Sequence, residues 1–123
     1  GTGMLGLPGD FSSPSRFVRV AFLQNTAPVK ETALETVTQA FHLLNNFDIP
    51  IGMQFAKGEE VVDIPSATHI TVASDLSGHK LYFRTLHNCE IRCIDLNRIN
   101  FKKTGYVCKP LDKVKAETIH QIF

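Results

Sequence analysis

The sequence predicts an α+β fold in which two helices are followed by an antiparallel β-meander. Three observations carry that reading. An apolar stripe of helical period runs through residues 30–46. Three strand-like runs rich in Thr, Val, Ile and aromatic residues follow between residues 69 and 96, and short joints separate them. Helical segments come first and strands after, the order expected of an α+β chain.

Residues 1–12 read as a strand end and a Gly/Pro turn. Gly6 and Gly9 tolerate positive φ, and Pro8 fixes its own φ. Ser13 sits where an N-cap belongs, with Pro14 at the first helical position. The first helix runs from Ser13 to about Gln24. Phe17, Val18, Val20, Ala21, Phe22 and Leu23 leave it little polar face, so it is expected to be largely buried. Asn25 to Pro28 is a connector. The second helix spans Lys30 to Asn46. Leu34, Val37, Phe41 and Leu44 line one side of it at 3.6-residue spacing. Glu31 and Glu35 near its start suit the helix dipole. Asn45-Asn46, then Asp48 and Pro50, stop it.

Ile49 to Pro65 reads as loop, punctuated by Pro50, Gly52, Gly58 and Pro65. The strands are His69 to Asp75, Lys80 to Leu86 and Glu90 to Leu96. Ser77-Gly78 and His87-Asn88 make joints short enough for hairpins. The strands carry apolar side chains on both faces, the pattern of a sheet covered on two sides. Two helices can cover only one face, so something further is expected over the other. Phe101 to Pro110 could add an irregular strand, and Leu111 to Phe123 is open between helix and strand.

At 123 residues the chain could be one domain. Its 43% hydrophobic content and mean hydropathy of −0.02 suit a chain with a packed core. Thirteen basic against twelve acidic residues, net +1, give no electrostatic case for nucleic acid or an anionic membrane surface. Apolar runs are a few residues long, far short of a membrane span. The opening Gly1-Thr-Gly-Met is not basic and precedes no long apolar run, so it does not read as a signal peptide. Cys89, Cys93 and Cys108 are an odd number, so no disulfide framework is expected. Cys89 and Cys93 fall on one strand roughly 13 Å apart. Thiolates so far apart cannot share one zinc with bonds near 2.3 Å. No metal or cofactor is expected.

Motifs for a nucleophile elbow, a P-loop or a zinc protease are absent. Gly1, Gly3 and Gly6 have dinucleotide-loop spacing, but Pro8 and Gly9 follow where that loop needs a helix. His42, His69, His79, His87 and His120 are scattered, and Asp75 and Asp95 end strands as turn caps do. Arg16 stands apart. It follows a rigid turn and opens an apolar helix, where a cation opposes the helix dipole. A guanidinium held there offers fixed donors to a carboxylate, a carbonyl oxygen or a developing oxyanion. The other reading is a salt bridge or a carbonyl-capping arginine. Arg19, one turn later, reads as solvent-facing or paired with a carboxylate.

The run Gly6-Leu-Pro-Gly-Asp-Phe-Ser-Ser-Pro-Ser-Arg-Phe-Val-Arg19 resembles a characteristic block of the choloylglycine hydrolase family, which holds conjugated bile salt hydrolases and penicillin V acylases. Ala40-Phe-His-Leu-Leu-Asn-Asn-Phe-Asp-Ile-Pro50 with Gly52, Ser74-Asp75, Leu81-Tyr-Phe-Arg-Thr85, Asn88 and Ile91-Arg-Cys-Ile-Asp-Leu96 extend the likeness to about residue 101. The resemblance implies part of an N-terminal nucleophile hydrolase, an αββα sandwich, with residues 1–123 as the C-terminal part of its single domain. It implies hydrolysis of a linear amide, in a conjugated bile salt or penicillin V, through an N-terminal cysteine thioester. By motif position Arg16 is the family's catalytic arginine, close to that thiol. The nucleophile and the supporting aspartate and asparagines are expected upstream of Gly1, so the segment alone is expected to be inactive. The alternative is an inactive binding or regulatory module of the same fold. The resemblance further implies a small-molecule amide substrate and a homo-oligomer, often a tetramer. The compartment stays open between bacterial cytoplasm and periplasm or secretion.

Overall fold

In the computed structural model, which describes residues 2–53, 55–60 and 67–123, two helices and three strands come in the expected order. Helix α1 is Ser13–Thr26 and α2 is Ala33–Leu44. Strands β1 (Ile70–Asp75), β2 (Lys80–Thr85) and β3 (Asn88–Asp95) form one antiparallel sheet in the order β1-β2-β3. The chain forms two compact units, Gly1–Asp48 and Ile49–Phe123. No described helix is long and apolar enough to cross a membrane.

In the first unit, Thr2–Met4 is a short 3-10 turn where a strand end was expected. Gly6 takes φ +86°, which only glycine adopts cheaply, and so reverses the chain. The start of α1 differs by one residue from the sequence reading. Ser12 is the N-cap, with extended backbone, and Pro14 sits inside the first turn. Ser12 does not cap with its own side chain, because Asp10 engages this segment instead. The burial expected for α1 is absent. Among its residues only Ser15 is buried, while Phe17 is 71% exposed, and Val18 and Val20 are also exposed. An apolar helix face records what must be covered, but the cover has to come from other residues.

Helix α2 begins three residues later than Lys30. Thr32 accepts from the Glu35 backbone N–H at 3.2 Å, and Glu35 Oε2 accepts from the Thr32 backbone N–H at 3.1 Å. This reciprocal capping box satisfies two orphan donors of the first turn. The bonds from Thr32, its hydroxyl first, hold the Glu35 carboxyl below the usual carboxylate range. The predicted stripe packs along part of its length. Val37 and Phe41 are buried, and Phe47 joins them from the 3-10 turn Asn45–Phe47, whereas Leu34 at the start is exposed.

In the second unit, residues 61–66 and Gln54 of the predicted loop lie outside the described residues, as does Gly1. The meander matches the sequence reading to within one or two residues at each strand end. Register pairs Val72 with Phe83 and Phe83 with Arg92, so the three share one face. Phe83 on the central strand is its buried centre. The segment after β3 forms a 3-10 turn, Leu96–Arg98, and then neither the strand nor the helix that residues 101–123 left open. Part of this segment nevertheless lies against the Phe83 face. Arg92 Nη1 donates to the Leu111 carbonyl at 2.8 Å and to Asp112 Oδ1 at 2.7 Å, and Nη2 donates to Thr85 Oγ at 3.1 Å. The guanidinium also lies 4.8 Å from the Phe83 ring centre, within cation–π range. The Thr85 hydroxyl first, and then Arg92, hold the Asp112 carboxyl below the usual carboxylate range.

Candidate functional site

The site starts from a turn that the sequence builds in place. Asp10 Oδ1 accepts from the Ser12 backbone N–H at 2.8 Å, an Asx turn. Asp10 Oδ2 accepts from Ser15 Oγ at 2.6 Å, and Ser12 Oγ donates to Ser15 Oγ at 3.1 Å. These bonds, those from the Ser12 and Ser15 hydroxyls foremost, lower the Asp10 carboxyl from 3.8 to about 2. Each favours the charged carboxylate, because a charged carboxylate accepts more strongly than a neutral acid does.

That shift has a consequence for pH. The carboxyl is more acidic in the folded chain, so its contribution is complete above the unfolded value and is lost as pH falls through the folded one. Asp10→Asn and wild type should therefore differ in unfolding midpoint above about pH 4. The two midpoints should converge toward about pH 2. Denaturant titrations across that window check it, and a difference that persists unchanged at the acid end would remove the assigned bonds.

Arg19 closes the turn from the helix side. Its Nη1 donates to the carbonyls of Pro8, at 2.8 Å, and Asp10, at 2.6 Å. Its guanidinium lies 5.8 Å from the Phe11 ring centre and 5.5 Å from that of Phe47. This corrects the sequence reading of Arg19 as solvent-facing or carboxylate-paired. Two turn carbonyls with no helical or sheet partner need a donor, and an arginine one turn into α1 reaches both.

Arg16 lies where the sequence placed it, in the first turn of α1. Its backbone N–H donates to the Ser12 carbonyl at 3.0 Å, the first bond of the helix. Its guanidinium makes no hydrogen bond or ion pair with any described residue. The carbonyl-capping role left open for Arg16 thus falls to Arg19. Arg16 instead lines an open hollow of about 310 Å³, together with Ser13, Phe17, Val20, Leu44 and Phe47. Residues 13, 16, 17 and 20 form one face of α1, which brings the arginine and two apolar side chains to the same wall. The result is a half-buried cation beside apolar surface. It can attract an anion or stabilise negative charge that develops nearby.

Sequence reasoning missed the parts of the turn that hold it: Asp10, Ser12, Ser15 and Arg19. The Asp-x-Ser spacing was the available signal for the first two. The other candidates do not join the site. Cys89, Cys93 and Cys108 are exposed and belong to the second unit, with the first two on β3 as expected. Among the described residues, no group of three or more His, Cys, Asp or Glu could hold a metal ion.

With this geometry in view, the comparisons with known proteins are specific. Residues 1–109 match the family of linear amide C–N hydrolases, choloylglycine hydrolase family. The chain belongs to that family. A bile salt hydrolase/transferase from Clostridium perfringens is 35% identical over 100 residues, covering 81% of this chain and 29% of that protein. One from Lactiplantibacillus plantarum is 34% identical over 112 residues, covering 90% of this chain and 33% of the relative. An uncharacterized protein, A284L, from Paramecium bursaria Chlorella virus 1 is 58% identical over 53 residues, which is 43% of this chain and 19% of that protein. A crystal structure of a conjugated bile acid hydrolase variant from Clostridium perfringens superposes with a TM-score of 0.69 at 32% identity, covering 99% of this chain and 35% of that one. The chain thus spans about a third or less of the length of the curated relatives it matches. The expected α+β order of helices and meander is borne out, and its structural neighbours are bile acid hydrolases.

Proposed function

We propose that these 123 residues are the C-terminal segment of a single-domain N-terminal nucleophile hydrolase that cleaves the amide of a conjugated bile salt or of penicillin V. Arg16 is its catalytic arginine. The observation that carries this reading is the division of labour between two arginines on one helix. Arg19 is consumed by the turn, while Arg16 is left without a partner among the described residues at the wall of an apolar hollow. A structural arginine would be bonded as Arg19 is.

In this mechanism an N-terminal cysteine, contributed from outside these residues, attacks the amide carbonyl as a thiolate. The C–N bond breaks, the amine departs with the proton taken from the thiol, and water hydrolyses the thioester to the free acid. The part of the present chain is electrostatic. A guanidinium near the sulfur favours thiolate over thiol and stabilises the oxyanion as it forms. The apolar wall of Phe17, Val20, Leu44 and Phe47 offers no competing polar side chain on that side of the charge, so the charge is screened less there than in bulk water.

Purified residues 1–123 should release no glycine, taurine or 6-aminopenicillanic acid from glycocholate, taurocholate or penicillin V. The full-length polypeptide should release at least one of them. Turnover by the segment alone would overturn the assignment of the nucleophile to other residues. A full-length protein that binds these amides without cleaving them would favour the inactive module instead.

A further inference from the structure

We infer that Arg19 is a positioning residue for Arg16, and this rests on the catalytic reading of Arg16. The two arginines are one turn apart on α1 and are joined by a continuous set of short contacts. Arg19 Nη1 holds the carbonyls of Pro8 and Asp10 at 2.8 and 2.6 Å. The Asp10 carboxylate in turn holds the Ser12 N–H and the Ser15 hydroxyl. The Ser12 carbonyl then accepts the Arg16 N–H at 3.0 Å. Ser15, which shares the Asp10 carboxylate with Ser12, is buried.

Arg19 has a second line of contact with the site. Its guanidinium lies against Phe47, which also forms the wall of the hollow that Arg16 lines. One side chain thus fixes both the entry of α1 and one wall of the hollow. It also occupies the two turn carbonyls that would otherwise compete for the Arg16 guanidinium. A lysine ammonium has donors enough for both carbonyls, which one nitrogen of Arg19 holds, but it lacks the planar face that lies over Phe11 and Phe47. Arg19 touches no reacting atom in this arrangement. Its effect is on where the Arg16 charge stands, and a displacement on the order of 1 Å in a catalytic group can cost about 100-fold in rate.

The test uses the full-length polypeptide with Arg19→Met, Arg19→Lys and Arg16→Lys, assayed for kcat and KM on glycocholate and on penicillin V. Arg19→Met should lower kcat at least about tenfold while KM changes less than about twofold. Arg19→Lys should recover part of the loss and remain about threefold below wild type, with its unfolding midpoint close to wild type. Wild-type kcat in Arg19→Lys or Arg19→Met, with Arg16→Lys impaired, would overturn the positioning role alone. Wild-type kcat in Arg16→Lys would remove the catalytic reading and the inference with it.

A readout independent of activity is the rate of phenylglyoxal modification, mapped by mass spectrometry. In the wild-type polypeptide Arg16 should react at least about tenfold faster than Arg19, whose Nη1 is held by two carbonyls and whose plane lies near two rings. In Arg19→Met the Arg16 rate should fall as the released carbonyls capture it. Equal rates for the two arginines in wild type would overturn the proposal whichever substrate the enzyme takes, and also where Arg19→Met fails to fold.

Discussion

Arg16→Met in the full-length polypeptide is expected to lower kcat about 100-fold or more, the range for losing one oriented donor to a developing oxyanion. Its unfolding midpoint should stay at or slightly above wild type. The sign of the stability effect follows from the site. The Arg16 guanidinium has no hydrogen bond or ion pair among the described residues, so its removal breaks nothing. A cation in the first turn of α1 also opposes the helix dipole, by about 0.3–1 kcal/mol in exposed cases. Loss of activity without loss of stability is the mark of a residue kept for chemistry. Arg16→Lys should fall between, since the charge remains while the fixed donors are lost. Steady-state kinetics paired with denaturant unfolding check both halves. Wild-type turnover in Arg16→Met would sink the catalytic role, and a large drop in the midpoint would turn Arg16 into a structural residue.

Phe83→Ala is expected to destabilise the second unit by about 3–5 kcal/mol, the usual cost of emptying a buried phenylalanine site. Phe83 is 6% exposed at the centre of the three-stranded sheet, between Val72 and Arg92. Its ring meets the Arg92 guanidinium, which in turn holds Leu111 and Asp112. The substitution therefore removes apolar burial and loosens the anchor of the segment that follows β3. Val72→Ala on the same face is the control. Val72 is 41% exposed, so its truncation should cost only about 1 kcal/mol. Urea unfolding monitored by hydrogen exchange of β2 amides separates the two. Equal costs for Phe83 and Val72 would mean that the segment holding Leu111 and Asp112 does not cover this face in solution.

The contrast between α1 and α2 shows what a sequence can and cannot disclose. Both helices were legible, α2 from its apolar stripe and α1 from its serines, proline and apolar run. For α2 the stripe found cover at Val37 and Phe41. For α1 the same logic predicted burial and gave instead an exposed Phe17 at the wall of a hollow. Periodicity tells which face wants to leave water. It does not tell whether a partner surface is present in the same stretch of chain.

The arginines divide along a similar line. The block Gly6–Arg19 identified Arg16 as the residue to follow, and the family match over residues 1–109 agrees with the resemblance that singled it out. The partners of Arg19 were not legible, because they are backbone carbonyls of Pro8 and Asp10. Every residue type carries a carbonyl, so only the path of the turn decides which carbonyls converge. The segment after β3 was unreadable for a related reason. It has no period, and its place over the sheet depends on Arg92, nineteen and twenty residues from its partners Leu111 and Asp112.

The sequence alone determined the α+β order, the hairpin-linked meander, the placement of Arg16 in the first turn of α1 and membership of the amide hydrolase family. These follow from local rules of period, turn chemistry and motif, which act over a few residues. Tertiary structure alone decided which arginine is tied down and which has no partner among the described residues, and which apolar faces are covered. Those outcomes depend on groups brought together across a turn or a sheet, where backbone geometry rather than residue type chooses the partner.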